Sequence, residues 1–207
     1  MKVLFVNGSS HKSGTTMAAI NEMEKVFHEE GIDTEVIQLG FKPISDCLGC
    51  FYCTDNDECV IKDDGVNDFV EKANGADGFV FATPVYYAHP SGRIFDFLDR
   101  AFCSNSEPFK YKPGASIAVA RRAGTTATID ALNKYFSISQ MPIAGSTYWN
   151  MVHGAVAEDA PKDEEGMQIM RNLARNMIWM MRCFEAGKAA GISYPATESG
   201  ARTNFIR

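Results

Sequence analysis

Short apolar runs alternate with amphipathic segments along most of the chain, and this alternation is the feature that most constrains the fold. The runs are continuously apolar rather than alternately apolar and polar, as in Gly78–Thr83 (GFVFAT). A continuous apolar strand is buried on both faces, and helices between such strands cover a parallel sheet on both sides. The sequence therefore predicts a single α/β domain over residues 1–207, without an internal repeat or a dividing linker.

Periodicity and cap residues define the expected elements. The predicted strands are Lys2–Asn7, Thr34–Leu39, Gly78–Thr83, Ser116–Ala120 and Pro142–Ser146. The predicted helices are Thr16–Glu30, Thr128–Phe136 and Glu164–Glu185, with two more that begin after the candidate caps Asp64 and Ser91.

The segment between the first strand and the first helix, NGSSHKSGTT, is dense in glycine and hydroxyl groups. In a parallel α/β sheet, ligands bind beyond the carboxyl ends of the strands. Backbone N–H groups, hydroxyls and the positive end of a helix dipole favour a phosphate there, although an ordinary capped turn has a similar composition. The spacing of Gly8 and Gly14 does not match a P-loop, and no G-x-G-x-x-G or C-x5-R pattern occurs.

Two other strand ends carry residues suited to a ligand. TPVYYAHPSG (83–92) follows the third strand and offers two stiffening prolines and two flat tyrosines, which suit a planar aromatic cofactor. ARRAGTTA (120–127) follows the fourth strand and offers two arginines among small residues. A core-packing aromatic turn and a solvated basic turn are the respective alternatives.

Four of the six cysteines fall in one short run, Cys47-x2-Cys50-x2-Cys53-x5-Cys59. Two-residue gaps let successive thiolates converge on one inorganic centre, and compact runs of this kind are typical of iron–sulfur ligation. Zinc ribbons usually separate two C-x2-C pairs by a longer insert, so zinc is a weaker interpretation. Bare or redox-active thiols are the remaining alternative.

Composition excludes several function classes. The formal net charge of −6 argues against nucleic acid as a main partner. No apolar stretch approaches the length of a membrane span, so no membrane partner is expected. The N-terminal apolar run is too short for a signal peptide, so we expect a cytoplasmic, reducing location that keeps thiolates available.

GSSHKSGTT, TPVYYAHPSG and ARRAGTT, each after a strand, resemble the flavodoxin-like NAD(P)H-dependent FMN reductase superfamily. With the cysteine run placed after the second strand, the chain is similar to the iron–sulfur flavoprotein branch of that superfamily. The resemblance covers roughly residues 1–155. It implies a flavodoxin-like, doubly wound, five-stranded parallel sheet of order 2-1-3-4-5, with helices on both faces.

The resemblance also implies FMN and its binding residues. The residues expected at the phosphate are Ser9, His11, Ser13, Gly14, Thr15 and Thr16. The residues expected along the isoalloxazine are Pro84, Val85, Tyr86 and Tyr87 on one side, and Arg121, Arg122, Ala123, Gly124 and Thr125 at its other edge. The residues expected to ligate a [4Fe–4S] cluster are Cys47, Cys50, Cys53 and Cys59.

These expectations describe an FMN-dependent oxidoreductase with NAD(P)H as co-substrate or a ferredoxin-like donor, a small-molecule acceptor and no separate acid–base residue. A cluster-free flavin, quinone or nitro-compound reductase and a non-enzymatic flavodoxin-type carrier are the alternatives. The cysteines lie in an insert over residues 46–62, and a tail over residues 187–207 is expected at an interface of a homodimer or homotetramer. Cys103 and Cys183, outside the run, are expected to be buried and inert.

Overall fold

The computed structural model describes residues 1–205, which fold around a twisted parallel sheet. The strands are β1 (Lys2–Asn7), β2 (Asp33–Gln38), β3 (Gly78–Tyr86), β4 (His89–Pro90), β5 (Gly114–Ala120) and β6 (Met151–His153). Five of them are parallel in the order β2-β1-β3-β5-β6, and the two-residue β4 only folds back antiparallel on β3. The five parallel strands therefore have the 2-1-3-4-5 order of flavodoxin-like proteins, and the predicted fold class is confirmed.

Helices connect the parallel strands and cover both faces of the sheet. They are α1 (Thr15–Glu29), α2 (Cys53–Asn56), α3 (Val66–Ala73), α4 (Gly92–Ser104), α5 (Thr125–Ile138) and α6 (Glu164–Ala189). Two 3₁₀ segments, Glu107–Phe109 and Ala157–Lys162, lie in the connections.

The core consists of two apolar clusters, one on each face of the sheet. On β1, Val3 and Phe5 join the cluster beneath α1 and α6, while Leu4 and Val6 join the cluster beneath α3, α4 and α5. All four side chains are fully buried. This is why the strand has a continuous apolar sequence, since both of its faces are covered.

The last parallel strand differs in position from the sequence prediction. Pro142–Ser146 forms only a single bridge, between Ile143 and Gly114, and the strand that completes the sheet is β6. β6 has three residues, of which only Val152 is fully buried, so its apolar pattern is too short to stand out.

The segment between β2 and α3 contains the cysteine run and only the four-residue helix α2. At the other end of the chain, α6 extends through Ala189, so the predicted tail 187–207 begins inside a helix and its last two residues lie outside the described part. Among the described residues, no helix combines the length and apolar character needed to cross a membrane.

Candidate functional site

A cleft of about 560 Å³ opens at the carboxyl ends of β1, β3 and β5. It brings together most of the predicted flavin-binding residues from three separate parts of the sequence. The predicted residues that line it are Ser9, His11, Ser13, Gly14, Thr15, Thr16, Pro84, Val85, Tyr86 and Arg121.

The floor of this cleft is the N-terminus of α1. Gly14 occupies the N-cap position without a side-chain cap, and the first turn contains no acidic residue. The N–H groups at this end therefore have no capping side chain, and the hydroxyls of Ser13 and Thr15 line the same space. Uncompensated N–H groups and a positive dipole end fit a phosphate group, so this cleft suits FMN.

A closed hydrogen-bond network fixes the loop that precedes α1. Fully buried Asn7 donates to Gln38 Oε1 across 2.8 Å, and Gln38 Nε2 donates to the carbonyl of Ser9 across 2.7 Å. The backbone N–H of Ser9 returns to Asn7 Oδ1 at 3.0 Å, and Ser9 Oγ accepts from the N–H of His11 at 3.1 Å. Asn7 and Gln38 were not among the predicted site residues. Each is a polar residue at the carboxyl end of a strand, and this position could have identified them.

A second network holds the end of β3 against the same loop. Ser91 Oγ donates to the carbonyl of Gly8 at 2.8 Å, and the Ser91 N–H donates to Thr83 Oγ1 at 3.0 Å. Ser91 is the N-cap residue of α4, as predicted, but its hydroxyl joins two strand ends instead of capping the helix. These hydrogen bonds therefore hold the loop after β1 and the loop after β3 at a fixed separation.

Five predicted flavin residues do not line the cleft: Tyr87, Arg122, Ala123, Gly124 and Thr125. Tyr87 has a positive φ of 50°, and its side chain is fully exposed to solvent outside the cleft. Gly124 (φ 93°) instead lets two loops approach, because a Cβ there would lie 2.6 Å from Ala88 Cα. Thr125 is buried, with its hydroxyl 3.3 Å from Met151 Sδ.

One wall of the cleft, formed by the end of β5 and the segment after β6, was not predicted from the sequence except for Ala120. Its residues are Val119, Ala120, Gly154, Ala155, Val156, Ala157 and Glu158. Gly154 lets this wall approach the N-terminus of α1, since a Cβ there would lie 3.0 Å from Thr15 Cγ2. The signal that could have found the wall is the position of Gly154 at the carboxyl end of β6, next to the end of β5.

The four cysteines of the run line a second, smaller pocket of about 70 Å³. Apolar side chains from the same segment surround them, including Leu48, Phe51, Val60 and Ile61. The other wall is α4, which contributes Arg100, Cys103 and Ser104. The pocket therefore lies between the cysteine run, which follows β2, and α4, which follows β3 and β4.

Arg100 anchors this segment to α4, and its side chain is 1% exposed. Nε donates to Cys59 Sγ at 3.2 Å, while Nη1 and Nη2 form an ion pair with Asp64. The remaining N–H groups donate to the carbonyls of Ser45 (3.3 Å) and Ile61 (3.1 Å). All five guanidinium donors therefore have acceptors, and the acceptors outside the run, on Ser45, Ile61 and Asp64, flank it on both sides.

The sequence predicted that Cys103 and Cys183 are buried, but both are exposed. Cys183 is exposed on α6, away from the cysteine pocket. Cys103 keeps an exposed edge, but its thiol faces the pocket, where desolvation and the neighbouring thiols of Cys53 and Cys47 raise its pKa to about 11. The pocket therefore contains five thiols rather than four.

The donor set of this pocket suits a soft metal centre. Its described lining contains thiols but no imidazole or carboxylate, which is the ligand chemistry of iron–sulfur clusters and thiolate zinc sites. In residues 1–205, no three Cys, His, Asp or Glu side chains converge tightly enough to hold a single ion. Thiols are ligands of both [4Fe–4S] clusters and zinc, so the donor set of this pocket fits either centre.

The family described as NADPH-dependent FMN reductase matches residues 1–156 of this chain. An iron–sulfur flavoprotein of Methanocaldococcus jannaschii is 30% identical over 195 residues, which cover 88% of this chain and 98% of that protein. An iron–sulfur flavoprotein of Methanosarcina thermophila is 28% identical over 192 residues, which cover 91% of this chain and 99% of that protein.

Among solved structures, a flavodoxin from the domain Archaea is similar, with a TM-score of 0.58 and 15% identity. The alignment covers 88% of this chain and 99% of that one. At this identity the similarity supports the fold alone.

Proposed function

We infer the function from one premise: this chain belongs to the NADPH-dependent FMN reductase family. It is an FMN-dependent oxidoreductase. We propose further that the cysteine pocket holds a [4Fe–4S] cluster, and that electrons pass between a reduced donor, NAD(P)H or a ferredoxin-like protein, and a small acceptor.

The observation that carries this proposal is the convergence of Cys47, Cys50, Cys53 and Cys59 on one pocket with apolar walls. Four thiols match the four protein ligands that a [4Fe–4S] cluster takes. Arg100 supports the same assignment, because an N–H donor to a ligand sulfur is one of the means by which a protein adjusts a cluster's reduction potential. The names of the two iron–sulfur flavoprotein relatives agree with it.

Bound FMN supplies two-electron and one-electron chemistry, and a cluster supplies one-electron exchange. The chain's own contribution is binding and electrostatics. In the proposed arrangement the α1 N-terminus with Ser13 and Thr15 would hold the phosphate, and Pro84 and Tyr86 would present stiff, flat surfaces to the ring system. Arg121 places a fixed positive charge in the cleft, which would stabilise electron density gained by a bound ring.

The charge distribution of the cleft suits redox chemistry without a dedicated proton-transfer residue. Glu158 is the carboxylate among its lining residues, on the segment after β6, and His11 lies on the loop before α1. We therefore propose that the residues of the cleft bind and orient the reactants, while no side chain acts as an obligatory general base.

The test is anaerobic purification followed by flavin chromatography and by iron and sulfide analysis. We expect about one FMN per chain, and about four iron and four labile sulfide ions after reconstitution, as four-cysteine ligation requires. FMN without iron would identify the chain as a cluster-free reductase and would refute the cluster assignment. Absence of any flavin after reconstitution would refute the assignment of the cleft.

A further inference from the structure

Five thiols line the cysteine pocket, and a cluster bound by the four cysteines of the run would not use the fifth, Cys103. It lies in the last turn of α4 (Gly92–Ser104), one helical turn after Arg100. Because residues three apart share a face of a helix, the two side chains point to the same pocket, and both line it. In sequence, Cys103 is well separated from the run, so its presence there is a consequence of tertiary structure.

The Cys103 thiol lies beside those of Cys53 and Cys47. Cys59 is engaged differently, since its sulfur accepts a hydrogen bond from Arg100. Helix α2, which begins at Cys53, contacts α4, and both cysteines line the same pocket, so Cys103 is placed to replace a ligand at the Cys53 side.

The backbone that carries Cys103 is held more firmly than the backbone that carries Cys53. α4 has 13 residues and packs Ile94, Phe97 and Leu98 fully into the core. Cys53 begins the four-residue helix α2, which has no buried residue. The preceding Phe51 has a φ of 58°, a conformation that costs free energy for a residue with a side chain. Local opening of the insert would therefore move Cys53 while leaving Cys103 in place.

We propose that Cys103 is a reserve ligand of the [4Fe–4S] cluster, which takes over the iron of Cys53 when that bond is broken. This inference rests on the proposed cluster. In the exchange, the Fe–Sγ bond of Cys53 breaks and its sulfur takes up one proton, while the Cys103 thiol releases one proton and forms the new Fe–Sγ bond. No electron is transferred, and the total number of protons is unchanged.

The experiment compares anaerobically reconstituted wild-type protein with Cys103→Ser, Cys53→Ser, Cys53→Ser/Cys103→Ser and Cys53→Ser/Cys183→Ser. Iron and sulfide content and the electron paramagnetic resonance of the dithionite-reduced protein are measured for each. We expect wild-type iron in Cys103→Ser, because its four primary ligands remain. We expect near-wild-type iron with an altered resonance in Cys53→Ser, and less than about one tenth of that iron when Cys103 is also replaced, because only three thiolates then remain.

The variant Cys53→Ser/Cys183→Ser is the matched control. It also removes a second cysteine, but one on α6, away from the pocket, so it is expected to keep the iron of Cys53→Ser. FMN content and the thermal unfolding midpoint are recorded for every variant, because the flavin cleft is separate and reports folding. Cys53→Ala replaces Cys53→Ser if the serine variant does not bind FMN.

Alkylation provides a second and independent measurement. In the cluster-loaded wild type, Cys103 binds no iron and keeps an exposed edge, so prolonged treatment with iodoacetamide should modify it slowly, because its raised pKa leaves little thiolate, and mass spectrometry should locate the label. In cluster-loaded Cys53→Ser the same residue should be protected.

Three results would overturn the inference. Iron loss in Cys53→Ser as complete as in Cys53→Ser/Cys103→Ser would show that Cys103 does not substitute. Iron loss in Cys103→Ser alone would make it a primary ligand rather than a reserve one. A wild-type protein that binds FMN but no iron would overturn both the proposed cluster and this inference. This result is seen in the wild type itself, whereas the other two are seen only in the variants.

Discussion

Arg100 donates from Nε to Sγ of Cys59 across 3.2 Å, and this contact joins a buried helix to the last cysteine of the run. The same guanidinium pairs with Asp64, whose side chain is 11% exposed. One side chain thus sets both the position of the insert and the charge beside a proposed ligand.

Replacing Arg100 with Met should lower the free energy of unfolding by about 3–5 kcal/mol, because Asp64 would remain as a largely buried, unpaired charge. Urea-induced unfolding followed by circular dichroism measures this change. The control is Arg182→Met, which breaks a surface pair with Glu30 and should cost less than about 1 kcal/mol. Equal costs for the two variants would contradict the anchoring role of Arg100.

Replacing Thr15 with Val should weaken FMN binding. The exchange keeps the methyl group that faces Gly154 but removes a hydroxyl at the proposed phosphate position. The loss of one charge-assisted hydrogen bond costs about 1.5–3 kcal/mol, which raises the Kd by about tenfold or more. Titration of the flavin-free protein with FMN, followed by fluorescence quenching, measures the change.

The control for Thr15→Val is Thr126→Val, in the first turn of α5. Thr126 is exposed and does not line the cleft, so its hydroxyl should not affect the Kd for FMN. If Thr15→Val binds FMN as wild type does, the phosphate lies elsewhere.

Replacing Gly124 with Ala should destabilise the protein and displace the turn after β3 that contains Tyr87 and Ala88. The residue has a φ of 93°, and the new Cβ would lie 2.6 Å from Ala88 Cα. We expect a loss of about 2–3 kcal/mol in the free energy of unfolding, together with weaker FMN binding, because the loop that carries Tyr86 must move. Gly92→Ala is the control, since a Cβ there has no heavy atom within 4 Å and should change stability by no more than about 1 kcal/mol. If Gly124→Ala unfolds as the wild type does, the loop tolerates the added methyl group and this prediction is wrong.

Glu35 should make a stability contribution that depends on pH. Its carboxylate is 2.5 Å from both Lys2 Nζ and Lys72 Nζ, and these hydrogen bonds hold the pKa of Glu35 below its usual value of 4.5. A carboxyl with a lowered pKa in the folded state stabilises that state above pH 4.5 and loses this contribution as the pH falls further. Because the group is 30% exposed, we expect Glu35→Gln to cost only about 0.5–1 kcal/mol at neutral pH.

Urea unfolding of wild-type protein and Glu35→Gln between pH 7 and pH 3 checks this expectation, and the difference between them should narrow below pH 4.5. Glu71→Gln is the control for net charge, since Glu71 lies on the same helix as Lys72, is exposed and makes no ion pair with the described residues. A difference independent of pH would exclude the proposed linkage.

Most of the architecture could be predicted from the sequence because it depends on local patterns. The apolar run of β1 indicated a strand covered on both faces, and Val3 and Leu4 do lie in opposite clusters. The strand order came from a family resemblance rather than from periodicity. The position of the last strand was wrong, because a three-residue strand is defined by its pairing with β5 and not by its own sequence.

In the cleft, too, the features that depend on local sequence could be predicted, and those that depend on tertiary structure could not. The hydroxyl-rich loop was recognisable because glycine and cap residues define a helix N-terminus locally. The choice between Tyr86, which lines the cleft, and Tyr87, which is fully exposed, depended on a turn with positive φ that adjacent tyrosines do not reveal. The wall at Gly154–Glu158 depended on the strand that was misplaced.

Local sequence was enough to predict the alternation of strands and helices, the hydroxyl-rich loop before α1 and the spacing of four cysteines, because each is set by neighbouring residues. Only the tertiary structure brought Arg100 and Cys103 to those cysteines, since the convergence of α4 and the insert depends on packing across the sheet. Such contacts join residues far apart in the chain, and their geometry follows from strand order and helix packing rather than from any local pattern.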